Sequence, residues 1–231
     1  MRLIQISILL CLLSVKSFAQ TELDPKEQNH ERLYQVELIV FARNESNPQE
    51  NWPSDIKLIY PENLLSVKAD GNSPEGFSLL PANERLLNPQ AATLARSGSY
   101  TLLYHQAWRQ MIYGRKANIA ISGGKTFNGH QELEGSISLS VAQYLKVQTN
   151  LWLTQFAPAG TNITDTWPEL PNIPNTDISE ADKSQGYLIK RIVKLSEVRT
   201  MRSSEVHYID HPLLGVIVKI IPVESQTGKT N

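Results

Sequence analysis

The chain has 231 residues, 41% of them hydrophobic, with 22 basic and 23 acidic side chains. This apolar content is enough for a globular core and excludes disorder throughout. Without a basic excess, nucleic acid is not an expected partner.

In chain order, residues 1–19 read as a secretory signal peptide. Met1-Arg2 is a short basic start, Leu3 to Val15 is mostly apolar, and Ser17-Phe18-Ala19 sets small residues before a cut at Gln20. The apolar run falls short of the roughly 20 residues a membrane-crossing helix needs. No later segment reaches that length free of charge, so no integral membrane segment is expected after cleavage. The one cysteine, Cys11, lies inside this leader. Ile8-Leu9-Leu10 before it lacks the small residues of a lipid-attachment site. Cleavage removes Arg2 and Lys16 and no acid, leaving 20 basic against 23 acidic groups on 212 residues. The expected product is periplasmic and thiol-free, with no redox or zinc-thiolate chemistry.

Residues 20–31 are polar and read as a flexible leader. Leu33 to Arg43 alternates with both faces largely apolar, which predicts a central, well-buried strand. Glu37 within it reads either as a carboxylate paired with an arginine or as a ligand-facing acid. Asn44 to Pro53 is a loop holding Trp52. Ile56 to Tyr60 has the pattern of a short strand, and Pro61 to Leu80 is irregular. Asn88-Pro89 predicts a helix start with Asn88 as the cap. Ala91, Leu94 and Ala95 give the helical spacing, and Gly98 stops it.

From Ser99 the chain is strand-rich. Strands are expected at Tyr100 to Met111, Asn118 to Ser122, Leu133 to Val141 and Tyr144 to Phe156, the last two as an antiparallel pair. Gly123-Gly124 reads as a hairpin turn. Residues 157–185 form a Pro-rich loop. Tyr187 to Arg202 is apolar and basic, with its alternation broken near Ser196 by a bulge or a helix–strand ambiguity. Two further strands, Glu205 to Ile209 and Gly215 to Ile221, flank the turn Asp210-His211-Pro212. The expectation is one α+β domain over 32–223, mainly antiparallel β-sheet with one or two helices, and a flexible tail at 224–231.

No motif signals catalysis. Gly123-Gly124-Lys125-Thr126 lacks the earlier glycine of a phosphate-binding loop, since that position is Ile119. No Gly-x-Ser-x-Gly elbow exists, and no carboxylate pair stands out. His207, Asp210 and His211 are the densest set of metal-ligand types. On an ideal strand the two histidines lie about 13 Å apart, so one metal reaches both only if the turn folds back. A metal-dependent hydrolase is therefore kept as an alternative, and no cofactor is expected. Binding suits the inventory better. Trp108-Arg109-Gln110 joins an indole, which can stack on a sugar ring, to polar neighbours. Lys190 to Arg202 holds five basic residues and one acid, a patch suited to the carboxylates of cell-wall stem peptides. The competing reading, that Trp108 and Trp152 are core residues and the cations solvate a sheet face, stays open.

Four blocks carry a resemblance. They are Tyr34 to Arg43 (YQVELIVFAR) with Trp52-Pro53, Tyr100 to Gln110 (YTLLYHQAWRQ), Glu134 to Ser140 (EGSISLS) with Tyr144-Leu145, and Arg199 to Ser203 continuing through Glu205 to Pro212 (EVHYIDHP) and Gly215. In this order they resemble the CsiV-type peptidoglycan-binding family of Gram-negative bacteria. The chain departs from that pattern at Thr200, which separates arginines often adjacent in the family, and at Lys146, often a histidine. The resemblance implies a periplasmic, non-catalytic protein associated with peptidoglycan. It also implies a partner, an outer-membrane lipoprotein that activates a class A penicillin-binding protein, and hence support of cell-wall synthesis. A purely protein-binding adaptor is the other alternative. The resemblance transfers no binding residues. From the residues themselves, Trp108, Arg109, Gln110, Arg199, Arg202, His207 and Tyr208 are the candidates for glycan contact.

Overall fold

The structure is a computed structural model that describes residues 32–44, 53–67, 76–112, 116–174 and 186–223. The expected signal peptide, the leader at 20–31, Trp52, the tail at 224–231 and residues 175–185 of the Pro-rich loop lie outside the described residues.

Among the described residues ten strands and one α-helix follow in chain order: β1 Arg32–Arg43, β2 Leu64–Leu65, β3 Phe77–Leu79, α1 Asn88–Arg96, β4 Tyr100–Ile112, β5 Ala117–Phe127, β6 His130–Val141, β7 Leu145–Pro158, β8 Tyr187–Met201, β9 Val206–Ile209 and β10 Leu214–Pro222. A 3-10 turn, Ala82–Glu84, precedes α1. The strands form two five-stranded sheets, ordered β3-β4-β1-β10-β9 and β2-β5-β6-β7-β8. All pairings are antiparallel except the short β2–β5 contact. The described residues are therefore mainly antiparallel β with one helix, in line with the expected α+β domain of one or two helices.

Period-2 alternation places the core between the sheets. Val36, Leu38 and Val40 of β1 and Val216, Val218 and Ile220 of β10 meet Ile137 and Leu139 of β6 and Val147, Leu151 and Leu153 of β7 in one buried cluster. Burial of each such side chain contributes about 1.5–3 kcal/mol. β1 is the middle strand of its sheet, and its other face is also covered: Ile39 and Phe41 pack on Leu87 and Ala91. That double burial is why its sequence is apolar on both faces.

The outer face of the second sheet is covered by an extended strap rather than a strand. Ile56 to Tyr60 has no ladder partner, contrary to expectation. Side chains of the sheet take the strap's carbonyls instead. Asn118 Nδ2 donates to Glu62 O at 2.8 Å, Asn150 Nδ2 to Ile59 O at 2.8 Å, and Lys194 Nζ to Lys57 O at 2.6 Å. Leu58 of the strap is buried with Trp152 and Ile192 of the sheet, and Tyr60, Trp167 and Leu170 pack around them.

Three local expectations are corrected. Gly123-Gly124 is not a turn: it lies within β5, at a register shift. A Cβ at Gly123 would sit 2.1 Å from Leu103 O, so glycine is required where β5 passes the β4 backbone. The turn is Asn128-Gly129, both with positive φ, closing a two-residue hairpin. Asn88 does not cap α1: it is the first helical residue, and its side chain donates to Ala82 O at 2.7 Å. In β8 the irregularity is not at Ser196. It falls at Lys190, left unpaired because Gln155 faces Arg191 and Phe156 faces Ile189.

Candidate functional site

The end of the first sheet gathers an aromatic and charged cluster in which Tyr208 and Asp210 are exposed. Antiparallel register sets Arg43, the last residue of β1, against Tyr100, the first of β4. On the other side Phe41 pairs with Gly215 of β10, and β9 carries Tyr208 opposite Ile217. A Cβ at Gly215 would lie 2.3 Å from Phe41 Cζ, so glycine makes room for the ring. Phe41 then stacks under Tyr208 with centroids 6.3 Å apart and planes within 5°. Tyr100 meets Phe41 edge-on at 5.1 Å, and the Arg43 guanidinium stands 5.8 Å over the Tyr100 ring.

Polar groups rim this platform. Arg43 Nη2 donates to Asp210 Oδ1 and to Tyr208 Oη, each at 2.6 Å, and the Tyr208 hydroxyl donates to Asp210 Oδ1 at 2.5 Å. Asp210 keeps 63% of its side chain exposed and Tyr208 is 44% exposed. The Tyr208 hydroxyl bond, reinforced by Arg43, holds the Asp210 carboxyl below its usual range. Desolvation, then the bond to Asp210, pushes the Tyr208 phenol up to about 12. Near neutrality the platform is thus a neutral phenol ring beside a fixed carboxylate–guanidinium pair. Such a surface can stack on the C–H face of a sugar and offer donors and acceptors to its hydroxyls.

The seven residues expected from sequence do not gather in one place. Trp108 and Gln110 lie in the core, each 0% exposed, and the indole Nε1 donates to Gln110 Oε1 at 2.6 Å. Trp108 therefore offers no face for stacking, and the expectation for these two residues is corrected: their alternation places them between the sheets. Arg109 points to the opposite face, 3.1 Å from Glu84. Arg199 pairs with Glu197 on β8. Arg202 is 85% exposed and stands 3.9 Å from Glu205, which is also 3.7 Å from His207 Nε2. Tyr208 belongs to the platform.

Sequence reasoning missed Phe41, Arg43 and Tyr100, and it treated Asp210 only as a turn or metal residue. One signal was available: Arg43 closes the first resemblance block, Tyr100 opens the second, and Tyr208 to Asp210 lies in the last. The fold brings these block ends to one corner.

The metal reading does not fit this geometry. Asp210 is engaged by Arg43 and Tyr208, whereas His207 neighbours Glu205 and His211 Nδ1 accepts from Leu213 N at 3.3 Å. Among the described residues no three His, Cys, Asp or Glu side chains are spaced to hold a metal. Two buried acid–histidine pairs act as internal ties. Glu37 binds His105 and two backbone amides rather than an arginine or a ligand, and Glu134 binds His130 and the Gln131 amide.

Among the described residues no helix is long and apolar enough to cross a membrane. No curated protein sequence matches the chain. A family model described as "Peptidoglycan-binding protein, CsiV" matches residues 3–223, nearly the whole chain. The chain belongs to the CsiV family of peptidoglycan-binding proteins.

Proposed function

We propose that this chain is a periplasmic, non-catalytic protein that binds peptidoglycan through the Tyr208 platform and supports cell-wall synthesis. The observation that carries this reading is the half-exposed Tyr208 ring, stacked on Phe41 and rimmed by Arg43 and Asp210. A glycan ring stacks on the phenol, and its hydroxyls meet Asp210 and the guanidinium. The exposed cation Arg202, with Arg199, draws the stem-peptide carboxylates by longer-range attraction. The implied protein partner is an outer-membrane lipoprotein activator of a class A penicillin-binding protein, a role suggested by the family resemblance.

The test is co-sedimentation of the mature chain with purified sacculi, alone and with the lipoprotein. Pelleting without the partner, reduced by Tyr208→Ala, supports direct glycan contact. Pelleting only with the lipoprotein present would make the chain an adaptor instead.

A further inference from the structure

We propose that the second half of β8 pairs with the same segment of a second copy of the chain, antiparallel about a two-fold axis at Val198, so that the second sheets of two copies join edge to edge. β8 is the last strand of its sheet and pairs on one side with β7. Among the described residues no strand pairs with its other side. Leu195 to Met201 runs opposite Leu151 to Leu145 without a register shift and contains no proline or glycine. It therefore presents a regular row of N–H and C=O groups, the form of edge that recruits another strand.

Backbone direction fixes which residues of the row face outward. Glu197 N donates to Thr149 Oγ1 at 3.1 Å, and that hydroxyl donates to Glu197 O at 3.3 Å. The backbone groups of Glu197 thus face β7, and by alternation those of Ser196, Val198 and Thr200 face out. Two Val198 residues set opposite each other exchange both backbone bonds, and so do Ser196 and Thr200 of opposite copies.

Side chains select this register. With Val198 on the axis, Leu195 lies opposite Met201 of the second copy, Ser196 opposite Thr200, and Glu197 opposite Arg199. Each pair matches in kind: apolar with apolar, hydroxyl with hydroxyl, acid with base. Val198 itself, 61% exposed, meets its own copy. Within one copy Arg199 already bonds Glu197, two residues away on the same face of the strand. The second copy adds the same pair in reverse, so four charges alternate in sign around a ring and each acid gains a second base. An axis at Glu197 would instead set acid against acid. The ladder ends where β8 ends, at Met201. The next pair would be two cations, Lys194 and Arg202. Lys194 is turned to the strap carbonyl of Lys57, and Arg202 lies past the strand, 3.9 Å from Glu205. Such a contact is isologous and closed, so it uses up the edge rather than extending it into a fibre. A ladder this short is well below the roughly 20–30 residues a side of a standard interface, so the dimer is a weak one of roughly micromolar Kd. It uses no platform residue and stands independently of glycan contact at Tyr208.

Sedimentation velocity of the mature chain, from about 1 μM to about 1 mM, reads the equilibrium. The wild type is expected to pass from monomer to dimer across that range. Glu197→Arg and Arg199→Glu each set like charges across the axis. Each variant, melting like the wild type in dilute solution, should dimerise about tenfold more weakly. Mixed in equal amounts, the two should recover a dimer of wild-type strength, because each supplies the charges that the other lacks. The double exchange Glu197→Arg/Arg199→Glu keeps the pair within each copy and should dimerise alone like the wild type. Val198→Cys reads the register independently, since Cys11, the one cysteine, lies in the expected leader. Mild oxidation should cross-link that variant and leave Val206→Cys, on β9, monomeric. A wild type that is monomeric at about 1 mM would overturn the proposal. So would a dimer that neither charge variant weakens, or a mixture of the two no more dimeric than either alone.

Discussion

Glu37 Oε1 lies 2.8 Å from His105 Nε2, and the same carboxylate accepts the backbone amides of Leu86 at 2.5 Å and Leu87 at 2.8 Å. These amides lie just before α1, so a buried acid on β1 anchors the entry to a helix about 50 residues away in sequence. This anchor and the contact of Leu87 with Ile39 and Phe41 fix α1 on the sheet, against the ring that supports Tyr208. Removing the acid strands both amides and leaves His105 unpaired. Glu37→Ala is expected to cost about 3 kcal/mol of stability, read as a lower midpoint in urea unfolding. Glu37→Gln, which keeps an acceptor, should cost less.

The same residue sets an acid limit. Burial opposes ionisation of Glu37, but the bond from His105 and the two amide bonds outweigh it and hold its pKa below the ordinary 4.5. A depressed folded pKa means that the stabilisation is complete above the unfolded value and fades as pH falls through the folded one. The melting temperature should therefore drop as pH is lowered below 4.5. The Glu37→Gln chain should show a shallower drop. Parallel curves for the two would refute the assignment.

Trp108 should report on folding rather than on ligand. It is fully buried, with its indole N–H on Gln110. Trp108→Ala is expected to destabilise by about 3–5 kcal/mol. Weaker sacculus binding by that variant should track its unfolded fraction, whereas Trp108→Phe, folded at assay temperature, should bind like the wild type.

The strap offers a further stability test. Asn150→Ala removes the donor to Ile59 O and loosens the cover over Trp152. The expected cost is about 1 kcal/mol, with increased quenching of tryptophan fluorescence by acrylamide. Unchanged quenching would mean that the strap is held by its apolar contacts alone.

Much of the fold is legible in sequence because it rests on period-2 burial. The doubly apolar run of β1 marks the central strand, and Leu133 to Val141 with Leu145 to Leu153 mark the inner faces of β6 and β7. Long-range relations are where local reading fails. Asn88 looks like a cap, but it is the first helical residue and its side chain turns back to Ala82 O, while Glu37 on another element holds the amides just before it. Gly123-Gly124 looks like a turn, but glycine is there for close approach to Leu103 O. Trp108 and Gln110 look like a sugar-contact pair beside Arg109, but adjacent strand residues point to opposite faces. The platform escapes local reading for a related reason. Arg43, Tyr100 and Tyr208 are brought together by strand register, and nothing in the spacing of Phe41 and Tyr208 shows that their rings stack.

The most direct test compares sacculus co-sedimentation of the wild-type mature chain with that of Tyr208→Ala. The exposed ring and its surface ion pair contribute little to folding, so the variant should melt within about 1 kcal/mol of the wild type. Direct glycan contact at Tyr208 means that the wild type pellets without any partner protein and that the variant loses affinity about tenfold. A wild type that stays in the supernatant, or a folded Tyr208→Ala that pellets equally well, would contradict it.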